Sequence, residues 1–171
     1  MEVSLLTSKF TLVPSSFFDP ASCRDALSEV VALGEDEEVN SIEIPCYGAV
    51  LVYATDSTTA SVITDNTVSG EDQSLPEMFY LLRGLQSCAE YNKILCSHMD
   101  GRLFIAIAQG RTLLLANSFD APDFTTAEYY IFMALKSLQL NPEVSTICWR
   151  APLDPEQEMS LYRYFKAVET I

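Results

Sequence analysis

Few residues of this chain could do chemistry. Cys96 and His98 lie two apart on a run that reads as a strand, so their side chains share a face. A thiol beside an imidazole could ligate a metal or form a nucleophile pair. No third ligand or orienting group accompanies them, and a half-buried histidine beside a core cysteine is the better reading. Asp100-Gly101 is the second candidate. Backbone N–H groups of a glycine turn can cradle a phosphate. A two-residue turn has one glycine and little room, so a tight hairpin is the better reading. Asn117, Ser118 and Asp120 read as a strand-to-helix junction, where ligands often bind. Capping and turn roles suit them better. Glu35-Asp36-Glu37-Glu38 could hold a cation or a basic partner, but a run of this kind after Gly34 reads first as a solvated loop.

The rest of the inventory is thin. There is no GxxxxGK[ST] phosphate loop and no CxxC pair. A two-metal nuclease needs carboxylates converging from strands. The runs 92–99, 102–108, 111–116 and 144–149 contain no Asp or Glu. No catalytic residue, no metal and no cofactor are expected.

Composition narrows the class. The chain has 171 residues, 49% hydrophobic and 11% aromatic, enough to fill a core and too apolar for disorder. A chain of this size buries about 70% of its unfolded surface. With 10 basic and 24 acidic residues the formal charge is −14, which disfavours nucleic acid and anionic membrane as partners. The N-terminus Met1-Glu2-Val3-Ser4 has no basic n-region, and no apolar run reaches the ~20 residues of a membrane helix. The five cysteines, 23, 46, 88, 96 and 148, are odd in number and irregularly spaced. They read as buried hydrophobes in a reducing compartment, so a cytoplasmic location is expected.

The acidity is uneven. Residues 1–91 hold 15 of the 24 acids but 3 of the 10 bases, a shift that marks 1–91 and 92–171 as two units. The second is the clearer. Strands are expected at 92–99, 102–108 and 111–116, joined by Asp100-Gly101 and Gln109-Gly110 turns. Thr125 and Glu128 have capping-box spacing, opening a helix with Ala127, Tyr130, Ile131, Ala134, Leu135 and Leu138 on one face. A fourth strand follows at 144–149, parallel to 92–99 because a crossover helix precedes it. Asp154-Pro155 opens a last helix running to about Ile171. The order is β-β-β-α-β-α.

The first unit reads as β-α-β-α. A strand is expected over 3–13, then a helix opened by Asp19-Pro20 and closed by Gly34. A strand region at 42–54 contains Pro45, which demands an edge or bulge. Residues 55–72 read as a polar loop with a short strand at 61–64. Ser74 to Glu77 opens a helix that buries Met78, Leu82, Leu85 and Ala89. Three strands, a helix, a strand and a helix is the ribonuclease-H-like order. The expected fold is therefore α/β, two such units in tandem as in actin-like ATPases, the first lacking its leading strands. The chain starts mid-pattern, as if an upstream hairpin were absent.

Particular segments carry a family resemblance. They are Ser8-Lys9-Phe10-Thr11-Leu12-Val13-Pro14-Ser15-Ser16-Phe17-Phe18, Asp100-Gly101-Arg102-Leu103, Leu115-Ala116-Asn117-Ser118-Phe119 and Tyr129-Tyr130. Together they resemble an uncharacterised bacterial family known only as a domain of unknown function, with an actin-like ATPase fold. The resemblance covers nearly the whole chain. It implies the fold and no activity.

In actin-like ATPases the phosphates sit at strand hairpins and adenine against a Gly-rich turn after the last strand. Here those places hold Asp100-Gly101 and Arg150-Ala151-Pro152, so ATP hydrolysis is not expected. Tyr129 and Phe132 on one helix, and Tyr162 and Tyr164 on the last, extend beyond a single buried face. Exposed aromatics mark interfaces. The leading expectation is a catalytically silent actin-like module acting in protein–protein association, as a homodimer or with a protein partner. The 3–13 strand, if unflanked, would template such pairing. The alternative is a nucleotide-binding relative whose site an absent N-terminal hairpin would complete.

Overall fold

In the computed structural model of the chain, residues 2–59, 61–64 and 74–171 are described. They divide into two compact units, Met1–Tyr80 and Leu81–Ile171.

In the first unit, β1 (Glu2–Leu5) and β2 (Phe10–Pro14) replace the single strand expected over 3–13. The break has a long-range cause. The buried Thr7 hydroxyl donates to the Ala54 carbonyl at 2.6 Å, and the Lys9 amide donates back to the Thr7 hydroxyl at 3.3 Å. The two strands then enter different sheets. After β2, a 3₁₀ turn capped by Asp19 leads into the short helix α1 (Cys23–Ser28), which ends well before Gly34. Next come β3 (Glu38–Ile44) and β4 (Ala49–Thr55). Pro45 does not bulge a strand; it opens the 3₁₀ turn Pro45–Tyr47 that separates β3 from β4, closed by Gly48 at φ 59°.

The order β2-β4-β3 is antiparallel throughout. Central β4 is a near-continuous apolar run, and α1 packs Leu27 onto its Val50, Val52 and Ala54. The expected short strand is present as β5 (Ser61–Thr64). Residue 60 and residues 65–72 of the expected polar loop lie outside the described residues.

Strand β1 lies between β5, antiparallel, and the two-residue β6 (Leu75–Pro76), parallel. It is therefore central and not the unflanked edge expected. Helix α2 (Glu77–Gly84) follows. Its first residue is not the free end of a capping box: the carboxylate of Glu77 is buried and accepts the Ser4 hydroxyl. Met78, Leu82 and Leu85 are buried as expected, whereas Ala89 is exposed beyond the helix end.

The second unit follows its expected order closely. Strands β7 (Asn92–Met99), β8 (Arg102–Gln109) and β9 (Thr112–Asp120) form the meander. Helix α3 (Phe124–Ser137) crosses to β10 (Thr146–Trp149), which pairs parallel to β7 with Cys148 beside Leu95. Helix α4 (Pro155–Tyr162) has the expected Asp154 cap, completed by Gln157. It stops at Tyr162, and the chain continues into β11 (Ala167–Thr170), parallel to β10. The last helix was thus expected too long. Its stripe residue Val168 lies on that strand and falls at i+7 from Leu161, two helical turns on, only by spacing.

The sheet order is β11-β10-β7-β8-β9. Ile94, Cys96, Leu103, Ile105, Ile107, Ile147 and Trp149 face α3 and α4, where Ile131, Leu135, Leu161 and Phe165 complete the core. α3 is capped by Asp123, not Thr125: the Asp123 side chain accepts the Thr126 amide at 2.7 Å, moving the helix start two residues earlier. Among the described residues no helix is long and apolar enough to cross a membrane.

Candidate functional site

Strands β7, β9 and β10 run in one direction, so their C-terminal ends gather at the end of the sheet where α3 begins. Open α/β sheets bind ligands at this end. Three of the chemistry candidates meet there: His98, the Asp100-Gly101 turn and Asp120.

Asp100 at φ 50° and Gly101 at φ 69° make the turn between β7 and β8 a tight left-handed one, as a two-residue hairpin of the I′ kind requires. Its carbonyl is already used, since the Ala121 amide donates to the Gly101 oxygen at 2.8 Å. Beside it Arg102 donates to Asp120 at 2.5 Å across the β8–β9 ladder. His98 lies with Nε2 2.7 Å from the Ala121 carbonyl, which makes Nε2 the protonated nitrogen. Its ring meets Phe124 edge-on at 6.2 Å, and Phe124 lies 5.6 Å from Trp149. The turn carbonyl and the imidazole are therefore both held by Ala121, and the guanidinium by Asp120 beside it.

At the start of α3 the Thr126 amide, then its hydroxyl, hold the Asp123 carboxyl below the usual carboxylate range, with His98 adding a smaller push in the same direction. A carboxylate at that position occupies the end of the helix where an anion would otherwise approach.

Asn117 and Ser118 are elsewhere. They lie inside β9, opposite Ile105 and Phe104, and not at a strand-to-helix junction. β9 runs four residues past the expected end because its alternation continues through Phe119, which packs on the core. Cys96 is fully buried, and burial pushes its thiol up, away from the reactive thiolate. Cys46 is exposed and Cys23 half-buried, so those two are not the core cysteines expected. Among the described residues no group of three or more His, Cys, Asp or Glu side chains could hold a metal ion.

In the acidic run Glu35, Asp36 and Glu38 are exposed as expected, and Glu37 is the exception. Glu37 pairs with Lys9 at 2.6 Å and accepts the Gly34 amide at 2.6 Å. Arg24 donates to the Glu37 and Gly34 carbonyls at 2.8 and 2.7 Å. Only the pairing of a distant lysine and arginine could have signalled this, and their separation in sequence hides it.

The aromatic candidates divide. Phe132 is half-buried, in edge contact with Tyr164 at 4.8 Å and stacked near Phe165 at 5.8 Å. Tyr129, three residues before Phe132 on α3, is 63% exposed, and Tyr164 is 48% exposed. With Met133 these residues make one aromatic surface across α3 and the segment after α4. Tyr162 turns away from it, its hydroxyl donating to the Val168 carbonyl on β11 at 3.3 Å.

Comparison with known proteins gives a family and a fold. A family described as a protein of unknown function (DUF3822) matches residues 2–168. No curated protein matches the chain. A crystal structure from Bacteroides thetaiotaomicron, of a protein with actin-like ATPase fold and unknown function, is similar with a TM-score of 0.74 and 16% sequence identity. The similarity covers 97% of this chain and 66% of that one.

Proposed function

This chain belongs to the DUF3822 family of proteins of unknown function, with an actin-like ATPase fold, and on that premise we propose that it is a catalytically silent actin-like module that works by binding another protein. The observation that carries the reading is the surface formed by Tyr129, Phe132, Met133 and Tyr164. Tyrosines supply large contact area at low entropic cost and are over-represented where proteins meet. The strand-end region supports silence by its chemistry: the two-residue Asp100-Gly101 turn offers a single glycine, and the Asp123 carboxylate occupies the N-terminal end of α3.

The tandem organisation belongs to the same proposal. The order β11-β10-β7-β8-β9, with helices after the third and fourth strands of the unit, supports a ribonuclease-H-like reading of Leu81–Ile171.

The test is site-specific photo-crosslinking in the organism that encodes the protein. A photoreactive residue placed at Tyr129 or Tyr164 should give a discrete adduct with one protein, and the same residue at Arg24 should not. Equal labelling at all three positions would overturn the reading.

A further inference from the structure

Among the described residues the six sheet edges are not alike. β2 ends in Pro14 and follows Lys9; β3 carries Glu38 and Glu43. β5 has four residues, and β6 has two, one of them Pro76. β11 has four residues, including Glu169. Shortness, proline and charge are the usual devices that stop an edge from pairing with another chain. β9 is nine residues long and carries no charge before its last residue, Asp120. Among the described residues it pairs with β8 and with no other strand.

The direction of its backbone groups follows from the two hairpins. In a two-residue hairpin the closing residues exchange both backbone hydrogen bonds, and bonding alternates from there. The β7–β8 hairpin closes at Met99 and Arg102, so Leu103, Ile105 and Ile107 turn their N–H and C=O groups toward β9. Their partners Phe119, Asn117 and Leu115 face β8 in return. Ala116, Ser118 and Asp120 therefore aim their backbone groups outward. One contact agrees with the outward direction: the Ser118 amide donates to the Asn117 side chain at 2.8 Å and not to β8, a bond it would exchange for a backbone carbonyl on pairing. Toward the other end, a register shift opposite Ile107 and Ala108 makes Leu114 an extra residue, which limits the regular edge to 115–120.

We propose that β9 is a self-pairing edge, and that its partner is the β9 of a second copy of this chain, antiparallel, with Ser118 opposite Ser118. This register matches Ala116 with Asp120 of the second copy and the reverse, so all three outward residues on each side are used. The side chain on the two-fold axis, Ser118, is small, and the flanking Phe119 is packed against its own core, which lets the strands approach. Charge allows it here although the chain carries −14. The Asp120 carboxylate is met by Arg102 of its own chain at 2.5 Å. The two Asp120 residues stand at opposite ends of the shared ladder, about 13 Å apart, beyond the ~8 Å screening length at physiological salt. Edges bearing Glu38, Glu43 or Glu169 would bring like charges together instead. This edge adjoins the aromatic surface, since Phe119 of β9 stacks on Tyr130 at 4.5 Å and Tyr130 meets Tyr129 edge-on at 5.4 Å; Tyr164, on the segment after α4, lies outside that chain of contacts.

The experiment is sedimentation of the full chain from low to high micromolar concentration. The wild type should show a species of twice the 19.0 kDa chain mass, growing with concentration. Ser118→Glu and Ser118→Lys should each weaken it at least tenfold, because like charges then face each other across the axis. An equimolar mixture of the two variants should restore it. Tyr164→Ser should leave it unchanged. A wild-type chain that stays at 19.0 kDa throughout, or Ser118 variants that dimerise like wild type, would overturn the proposal.

Discussion

Ala121 donates its amide to the Gly101 carbonyl at 2.8 Å, tying the β7–β8 turn to the segment that leads into α3. The bond requires Gly101 to keep φ at 69°, a conformation that β-branched residues resist. A β-carbon there would meet Pro122 Cα at 3.8 Å and the Ala121 oxygen at 4.0 Å, so space is not the obstacle. Gly101→Val should therefore cost roughly 1–2 kcal/mol from backbone strain alone. Urea unfolding measures it, and a change under about 0.5 kcal/mol would mean the turn relaxes to another form.

Glu37 offers a pH test. Its carboxyl is held below the usual carboxylate range first by the Lys9 ammonium and then by the Gly34 amide. A depressed folded-state value stabilises the native state above the unfolded value, and the contribution fades as pH falls through about 4 toward the folded value. Glu37→Gln should therefore be less stable than wild type at neutral pH, and the gap should close under acid. Thermal unfolding at pH 7 and pH 3 separates the cases; a gap of equal size at both would assign the effect to packing.

Gly84 ends α2 against Leu95 of β7. A β-carbon at 84 would stand 2.9 Å from Leu95 Cδ2 and 3.4 Å from Ile171 Cδ1. Leu95 is fully buried and has little room to yield. Overpacking costs about 1–3 kcal/mol, against the ~1 kcal/mol that alanine gains over glycine in a helix interior. Gly84→Ala should lower stability by about 1 kcal/mol. A higher melting temperature would show that Leu95 changes rotamer freely.

Calorimetric titration with Mg-ATP tests the nucleotide-binding alternative to the proposed function. We expect no affinity tighter than about 1 mM, roughly −4 kcal/mol. A micromolar dissociation constant would favour the nucleotide-binding reading and show that the turn opens on binding. His98→Ala, which frees the Ala121 carbonyl, should leave that outcome unchanged.

The second unit was legible because its signals are local. Asp100-Gly101 can turn a chain without help from distant residues, and Asp154-Pro155 can start a helix the same way. The parallel pairing of β10 with β7 follows from the crossover helix between them. The first unit was harder. Residues 3–13 look like one strand because both halves are apolar, yet Thr7 breaks them by bonding to Ala54, 47 residues away. Pro45 signalled an irregularity without revealing its form, since a proline suits a turn as readily as an edge. In the candidate site, the sequence placed Asp100 and Gly101 correctly in a tight turn. It placed Asn117 and Ser118 at a junction because strand length depends on what the next residues pack against.

The sequence by itself determined the α/β class, the meander, the capped helices and the family, because these depend on spacing within short windows. Tertiary structure decided the rest. It made β1 central by supplying neighbours from Ser61–Thr64 and Leu75–Pro76, and it turned the end of the last expected helix into β11 beside β10. It also closed Gly101, Arg102 and His98 onto Ala121 and Asp120. Backbone hydrogen-bond groups must find partners, and for a strand those partners lie on other segments, so its place in a sheet is set only when the chain comes together.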